Sequence, residues 1–248
     1  MKSITGRVKR WIRQAGPGRV PHMNPRTGFP ADFEPHEIED IETVRPYTMT
    51  SPERIVSLIR SVDYVVENQI PGDIVECGVY KGGSIMAVAR TLLRKGDTRR
   101  DLYLYDTFEG MAQPTDHDVS VLQESAAEKW KRKDRWCYAG LEEVRRAVES
   151  TGYPAEKLHF VKGKVEETIP GTVPGQIALL RLDTDWYEST LHELVHLFPR
   201  LVRGGVIIID DYGHWQGARQ ATDEYLREHK IPLLLNRVDY TARVGVKL

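Results

Sequence analysis

Residues 176–212 read QIALLRLDTDWYESTLHELVHLFPRLVRGGVIIIDDY, and the order of patterns within them decides the fold. The stretch opens on an apolar run, 176–182, and closes on another, 205–209. Both read as short strands buried on two faces, the signature of a parallel sheet. Between them, Leu191, Leu194, Val195 and Phe198 recur at i, i+3, i+4 and i+7, which predicts a helix over 188–201. Strand, helix, strand is a parallel crossover unit. The same stretch carries two conflicting chemical signals. His192-Glu193-Leu194-Val195-His196 matches the H-E-x-x-H pattern of a zinc-binding helix. Asp183 and Asp185 after the first strand, with Asp210 and Asp211 after the second, gather carboxylates at strand ends instead.

Outward from this unit the alternation continues. Strands are predicted at 73–79 (DIVECGV), 101–108 (DLYLYDTF) and 158–163 (LHFVKG), and helices at 84–94, 141–152 and 217–230, with Gly152 as a C-cap. KVEETIP, from Lys164, reads as a short helical turn, and 109–140 as a polar section without a clean period. Ser51-Pro52 supplies an N-cap and a first-turn proline for a helix that buries Ile55, Leu58, Ile59, Val62, Val65 and Val66 and stops before Pro71-Gly72. The last two strand runs, LLLNRVD (233–239) and ARVGVKL (242–248), lie too close for a helical crossover and predict an antiparallel hairpin. The expected fold is α/β: a doubly wound, mostly parallel sheet with a C-terminal antiparallel hairpin, the Rossmann-like outline of the class I methyltransferases. In such sheets ligands bind beyond the carboxyl ends of the strands.

Composition narrows the classes. The chain has 248 residues, 40% hydrophobic and 29% charged, with a net charge of −1. No global field points to nucleic acid, and no apolar run approaches the roughly 20 residues of a membrane span. The basic start MKSITGRVKRWIRQ lacks the apolar core of a secretory signal. Cys77 and Cys137 form neither a metal pattern nor a disulfide framework, which fits a reducing cytoplasm. Residues 1–45 run from basic to acidic and are broken by proline and glycine, so they read as an arm or lid ahead of a main domain at 46–248.

Three features sit at the predicted strand ends. The first is Glu76-Cys77-Gly78-Val79-Tyr80-Lys81-Gly82-Gly83-Ser84, an E-x-G-x-x-x-G-G loop distinct from G-x-G-x-x-G. Gly78 permits a tight turn, Gly82 and Gly83 permit close approach of ligand or helix, and Ser84 can cap the following helix. The second is Asp106, placed where an acid accepts hydrogen bonds from ribose hydroxyls. The third is the set Asp183, Asp185, Asp210 and Asp211. Carboxylates brought together repel unless a positive charge sits among them, and a hard ion such as Mg²⁺ with oxygen ligands is the natural solution. No G-K-[ST] loop is present for a nucleoside triphosphate. The zinc reading fails on placement: His192 and His196 point away from the apolar stripe, and PRLVRGGVIII supplies no third ligand.

VECGVYKGGS, LYLYDTFEGM, the long run RLDTDWYESTLHELVHLFPRLVRGGVIIIDDYG and GARQATDEY, in this order from about 73 to 226, resemble the macrocin O-methyltransferase (TylF) family. These are S-adenosylmethionine- and Mg²⁺-dependent sugar methyltransferases of antibiotic biosynthesis. The resemblance implies that Glu76, Gly78, Tyr80, Gly82, Gly83 and Ser84 surround the methionine part of the cofactor, with Asp183 beside it. It places Asp106 on the ribose and Phe108 against the adenine. It assigns Asp183, Asp210 and Asp211 to Mg²⁺ and Asp185 to the role of general base. The acceptor it implies is a hydroxyl of a vicinal-diol sugar or sugar-bearing natural product. It implies a homo-oligomer, with no nucleic acid partner. DYGHWQGAR (211–219) departs from the family by a longer loop carrying His214, a second base candidate, and Trp215. Trp186 and Tyr187 are expected to wall the acceptor pocket, and Trp130 and Trp136 to form a lid. Two rival readings are a binding module that kept the cofactor fold without catalysis, and a zinc hydrolase using HELVH.

Overall fold

The structure is a computed structural model and describes residues 23–24, 27–133 and 135–248. The basic start at 1–22, read above as part of an arm, lies outside these residues. The chain divides into two compact units, Met1–Glu39 and Asp40–Leu248. In the smaller one, Met23 and Pro30 form an antiparallel bridge and Phe29 stacks on Phe33.

The acidic segment expected to be irregular is helical. Helix α1 spans Pro35–Val44 and runs into a 3₁₀ turn at Arg45–Tyr47. Within the larger unit Ile41 and Val44 are buried, and Asp40 is buried in ion pairs with Arg90 and Arg94. The arginines that pair with Asp40 lie 50 and 54 residues away in sequence.

The following elements, in order, are α2 (Pro52–Glu67), β1 (Asp73–Cys77), α3 (Gly83–Lys95), β2 (Leu102–Asp106), α4 (Ala126–Arg132), α5 (Leu141–Glu149), β3 (Leu158–Lys162), α6 (Val165–Thr168), β4 (Ile177–Leu182), α7 (Tyr187–Leu197), β5 (Leu201–Ile209), α8 (Gln216–Glu228), β6 (Asn236–Arg237) and β7 (Arg243–Val246). Their sheet has the order β3-β2-β1-β4-β5-β7-β6. The first five strands are parallel, and β7 runs antiparallel to both β5 and β6. The direction of winding reverses between β1 and β4, so the crevice beyond their carboxyl ends is the expected ligand site.

Period-two alternation sends Val75, Cys77, Leu180, Leu182, Ile207 and Ile209 to one face, where they pack with Leu194, Leu197 and Tyr225 of α7 and α8. Ile74, Glu76, Leu179, Arg181, Val206 and Ile208 therefore face the α2/α3 side. Ser51 caps α2 by accepting from the N–H of Arg54, with Pro52 in the first turn, as the sequence predicts.

Three expectations shift. Gly152 takes φ +80° but lies beyond the end of α5, whose last cap is Ser150. The leucine run 233–235 forms no strand: Leu233 and Leu235 pack on the α7/α8 core and Leu234 is 74% exposed, which leaves only Asn236–Arg237 to pair. Of the apolar stripe on α7 and the turn after it, Leu191, Leu194 and Phe198 pack on the core as expected and Val195 does not. The buried side of α7 is Ser189, Thr190, Glu193, Leu194 and Leu197, while Val195 is 44% exposed. A hydrogen-bonded glutamate occupies a core position that hydrophobicity alone assigns elsewhere. No helix among the described residues is long and apolar enough to cross a membrane.

Candidate active site

The carboxyl ends of β1, β2, β4 and β5 are knitted by backbone hydrogen bonds that run from one strand's exit to the next. Gly78 N–H donates to Tyr105 O (2.8 Å), Asp183 N–H to Cys77 O (2.8 Å) and Asp210 N–H to Leu182 O (2.9 Å). Gly78 has φ +84°, and a Cβ there would lie 2.1 Å from the carbonyl oxygen of Asp183. Glycine is required because two chain exits share one space. Gly78→Ala is expected to cost about 1–3 kcal/mol from backbone strain alone, with more from the overlap. Thermal melts and calorimetry should show lower stability together with weaker S-adenosylmethionine binding; a wild-type melt would remove this account.

The neighbouring glycines serve packing. A Cβ on Gly82 would meet Val148 of α5 at 2.9 Å, and one on Gly83 would meet Thr48 at 2.6 Å. Asp106 ties the loop to the end of β2: its Oδ2 accepts from the N–H groups of Val79 (2.8 Å) and Tyr80 (3.0 Å), and its Oδ1 from that of Phe108 (2.7 Å).

At the centre lies Arg181, a cation in an otherwise apolar strand. It is buried, and its guanidinium holds three acids at 2.7 Å each: Nη1 donates to Glu76 Oε1 and Asp183 Oδ2, and Nη2 to Asp210 Oδ1. The other oxygen of Asp210 pairs with Arg54 Nη1, and Arg54 Nε reaches Asp239 at 3.2 Å. Asp210 is thus fully engaged by two arginines. Glu76 keeps one buried oxygen without a partner, and burial raises its pKa to about 7 against the opposing pull of Arg181.

The carboxylates that converge are Asp183, Asp185 and Asp211, each half-buried, with one oxygen from each lying within 4.8 Å of the others. The sequence expectation placed Asp210 in this group; the structure puts Asp185 there, because both oxygens of Asp210 are taken. Burial, then the neighbouring charges, push Asp183 and Asp211 well above the usual carboxylate range. Burial and the charge of Asp183 raise Asp185 to about 7. Three hard oxygen donors that resist being charged together suit a divalent cation of the Mg²⁺ type.

Two cavities meet above this floor and share Gly78, Asp106, Gly110, Met111 and Asp183. One is apolar, lined further by Tyr105, Ala112, Val165 and Trp186. The other is polar, lined by Thr48, Thr50, Tyr80, Ser84, Cys137, Asp185, Asp210 and Asp211. Of the residues expected around the cofactor, Gly78, Tyr80, Ser84, Asp106 and Asp183 face these cavities, while Glu76, Gly82 and Gly83 support the floor from behind. Phe108, expected at the adenine, lines neither; it is 2% exposed and packs on Phe160.

The described residues of the polar section, 109–133 and 135–140, form a cover at the rim of the site. Trp130 Nε1 donates to Met111 O (3.1 Å) and Trp186 Nε1 to Ala112 O (3.0 Å). Asp118, fully buried, accepts from the N–H of Tyr187 at 2.8 Å and from that of Thr115 at 2.7 Å. Trp136, Trp186 and Trp215 meet edge to face. Tyr187 turns away, its hydroxyl on Glu224 and its ring on His117. His214 lies edge-on to Trp215 outside both cavities, and burial lowers its pKa. Arg181, Arg54, Cys137 and Asp118 are the residues that motif reading missed. Only Arg181 carried a signal, a charge inside a buried strand.

HELVH builds no metal site. His192 Nε2 donates to the carbonyl of Ile169 at 2.9 Å and its ring contacts His196. Among the described residues, the cluster able to hold a metal is the aspartate trio. His192→Ala with His196→Ala is expected to leave methyl transfer within about twofold of the parent, a change typical of surface substitutions; loss of bound zinc together with activity would reverse this.

Residues 32–245 match the macrocin-O-methyltransferase (TylF) family. The chain is 34% identical over 195 residues to an 8-demethyl-8-(2,3-dimethoxy-alpha-L-rhamnosyl)-tetracenomycin-C 4'-O-methyltransferase of Streptomyces olivaceus, covering 79% of this chain and 73% of that one. It is 32% identical to the mycinamicin III 3''-O-methyltransferase of Micromonospora griseorubida, covering 78% and 75%. Among solved structures, the O-methyltransferase NovP superposes with a TM-score of 0.72 at 30% identity, over 81% of this chain and 82% of that one. A calicheamicin methyltransferase shares the fold at 20% identity, with a TM-score of 0.60 over 86% and 93% of the two chains.

Proposed function

The chain belongs to the macrocin O-methyltransferase (TylF) family and is an O-methyltransferase; from that premise we propose that it moves a methyl group from S-adenosylmethionine to a hydroxyl of a vicinal-diol sugar carried on a natural product, with Mg²⁺ held by Asp183, Asp185 and Asp211. The observation that carries this reading is the convergence of those three carboxylates at the floor of a polar cavity that opens beside an apolar one. The paired cavities suit an elongated donor with a flat apolar end and a charged amino-acid end. The relatives' names specify a rhamnosyl substituent of tetracenomycin in one case and mycinamicin III in the other, which supports a glycoside acceptor.

When bound, Mg²⁺ supplies a Lewis acid that lowers the pKa of a sugar hydroxyl and fixes its direction. The sulfonium of the donor supplies the activated methyl. The protein's share is alignment and proton removal. Gly78 and the Asp106-braced loop set the donor's depth against the strand ends, and Asp106 is the group we assign to the ribose. Asp185 is the group we assign to proton removal, a carboxylate standing beside Asp183 and Asp211 at the cavity floor. Arg181 and Arg54 hold Asp210 and one oxygen of Asp183 still, so the floor does not relax as charge moves. Gly110, Met111, Ala112 and Cys137 of the cover line the two cavities. Holding two reactants in line contributes as much as about 7–11 kcal/mol in favourable systems.

The test is a methyl-transfer screen over deoxysugar glycosides and sugar nucleotides, read by mass, with Mg²⁺ and with EDTA. Transfer to a glycoside in Mg²⁺ alone is the expected result. Failure to bind S-adenosylmethionine by calorimetry would sink the donor assignment, and full activity in EDTA would sink the metal.

A further inference from the structure

HELVH leaves one residue unaccounted for. Glu193 is 0% exposed on the sheet-facing side of α7. Its Oε1 accepts a hydrogen bond from the Thr184 hydroxyl at 2.9 Å, and its Oε2 has no partner. The Cys77 thiol of β1 lies against it. Among the described residues no cation pairs with it, and burial, with Glu166 and Asp183 adding to it, pushes its pKa well above the ordinary range. A buried carboxyl with an orphaned oxygen is expensive to keep, and a leucine would fill a core position of α7 at less cost. The orphaned oxygen thus points to a task for the other one.

That oxygen grips Thr184, which lies between Asp183 and Asp185. Asp185 has φ +71°, a left-handed backbone disfavoured for a residue bearing a Cβ. Such a conformation persists only where its surroundings over-determine it. From the cover side the turn is held by Asp118 on the Tyr187 N–H, and internally by Trp186 N–H on the Thr184 carbonyl at 2.9 Å. From the sheet side the holding contact is the Thr184–Glu193 hydrogen bond.

We propose that Glu193 is a positioning residue which, by holding the Thr184 hydroxyl, fixes the turn that delivers Asp185 to Asp183 and Asp211. The inference rests on the assignment of those three aspartates to the reaction centre. It accounts for the buried glutamate of a zinc-like pattern whose two histidines build no metal site.

Thr184→Val keeps the side chain's shape and removes the hydroxyl. It is expected to lower kcat and weaken Mn²⁺ binding by about 10- to 100-fold, the range seen when groups supporting metal ligands are removed. The KM for S-adenosylmethionine should change less than kcat, because Gly78 and the loop braced by Asp106 are untouched. Mn²⁺ affinity, read by electron paramagnetic resonance on protein without acceptor, supplies a readout separate from turnover. Thr184→Ser, which restores the hydroxyl, and Glu193→Gln, which keeps an accepting oxygen, should recover most of the loss. Glu193→Met should match Thr184→Val, and the double variant should be no worse than either alone. Should Glu193→Met fold poorly, Thr184→Val decides the matter alone. Wild-type kcat and Mn²⁺ affinity in Thr184→Val would overturn the proposal, as would additive losses in the double variant. A parent protein that binds no Mn²⁺ and transfers no methyl would instead overturn the reading of the site.

Discussion

Arg181→Met is expected to destabilise the protein by about 3–5 kcal/mol, the cost of breaking a buried ion pair by removing one partner. For a chain of this size that is a fall of roughly 6–20 °C in the unfolding midpoint. Arg181 faces Glu76, Asp183 and Asp210 at 2.7 Å each, and it is buried with Glu76 and Asp210. Methionine fills the volume and leaves three acids facing one another. The sign of the pH dependence follows from Glu76. Its pKa is raised by burial to about 7 while Arg181 is pulling it down, so without Arg181 it rises further. A group whose folded pKa is raised carries its proton in the native state at low pH and destabilises that state as pH climbs through the folded value. The deficit of Arg181→Met should therefore be smaller below pH 7 than above it. Adding Glu76→Gln should recover part of the loss by removing one of the stranded charges. Thermal melts of the three proteins on either side of neutrality check this; a single variant that melts within about 2 °C of the parent at alkaline pH would show that the arginine is not the keystone of the floor.

That expectation could not have been written from the sequence, and the reason is physical. Topology is local information: DIVECGV, QIALLRLD and GGVIIIDDY declare parallel strands by their apolar runs, and a parallel sheet brings Gly78, Asp106, Asp183 and Asp210 to one edge. Which acid faces the cavity depends on partners far away in the chain. Asp210 is engaged away from the aspartate trio by Arg54, 156 residues earlier, and by Arg181 on a neighbouring strand. Within the larger unit Asp40 pairs with Arg90 and Arg94, beyond the reach of any local window. Asp118 looked like one more polar residue of an aperiodic section, yet it is fully buried beneath the cover and caps α7 from 69 residues away. Helix α7 shows the same limit in reverse. Hydrophobic spacing placed Leu191, Leu194 and Phe198 on the core and missed Glu193, which is buried with a hydrogen bond from Thr184. The pattern of apolar residues specifies elements and their order, whereas the orientation of charged residues is decided by pairing across elements.

Asp185→Asn is expected to cut kcat by about 10²–10⁴-fold, the usual worth of a positioned general base, while S-adenosylmethionine binds nearly as before. The amide keeps the size of the side chain and removes both its basicity and one of three negative charges. Mn²⁺ affinity should fall with kcat, because Asp185 shares the trio with Asp183 and Asp211. Asp210→Asn is the discriminating control. Its oxygens already belong to Arg181 and Arg54, so it should lower the melting temperature by weakening two ion pairs while Mn²⁺ binding stays closer to that of the parent. If Asp210→Asn loses the metal and Asp185→Asn retains it, the cation sits one strand over from where the geometry places it, and Asp185 acts as a base alone. If Asp185→Asn turns over within about threefold of the parent, proton removal belongs to another group. His214 is poorly placed for that work, since it lies outside both cavities. A solvent hydroxide would then remain, with kcat rising tenfold per pH unit and no plateau near pH 7. A positioned carboxylate base gives instead a rate that levels off once the carboxylate is ionised.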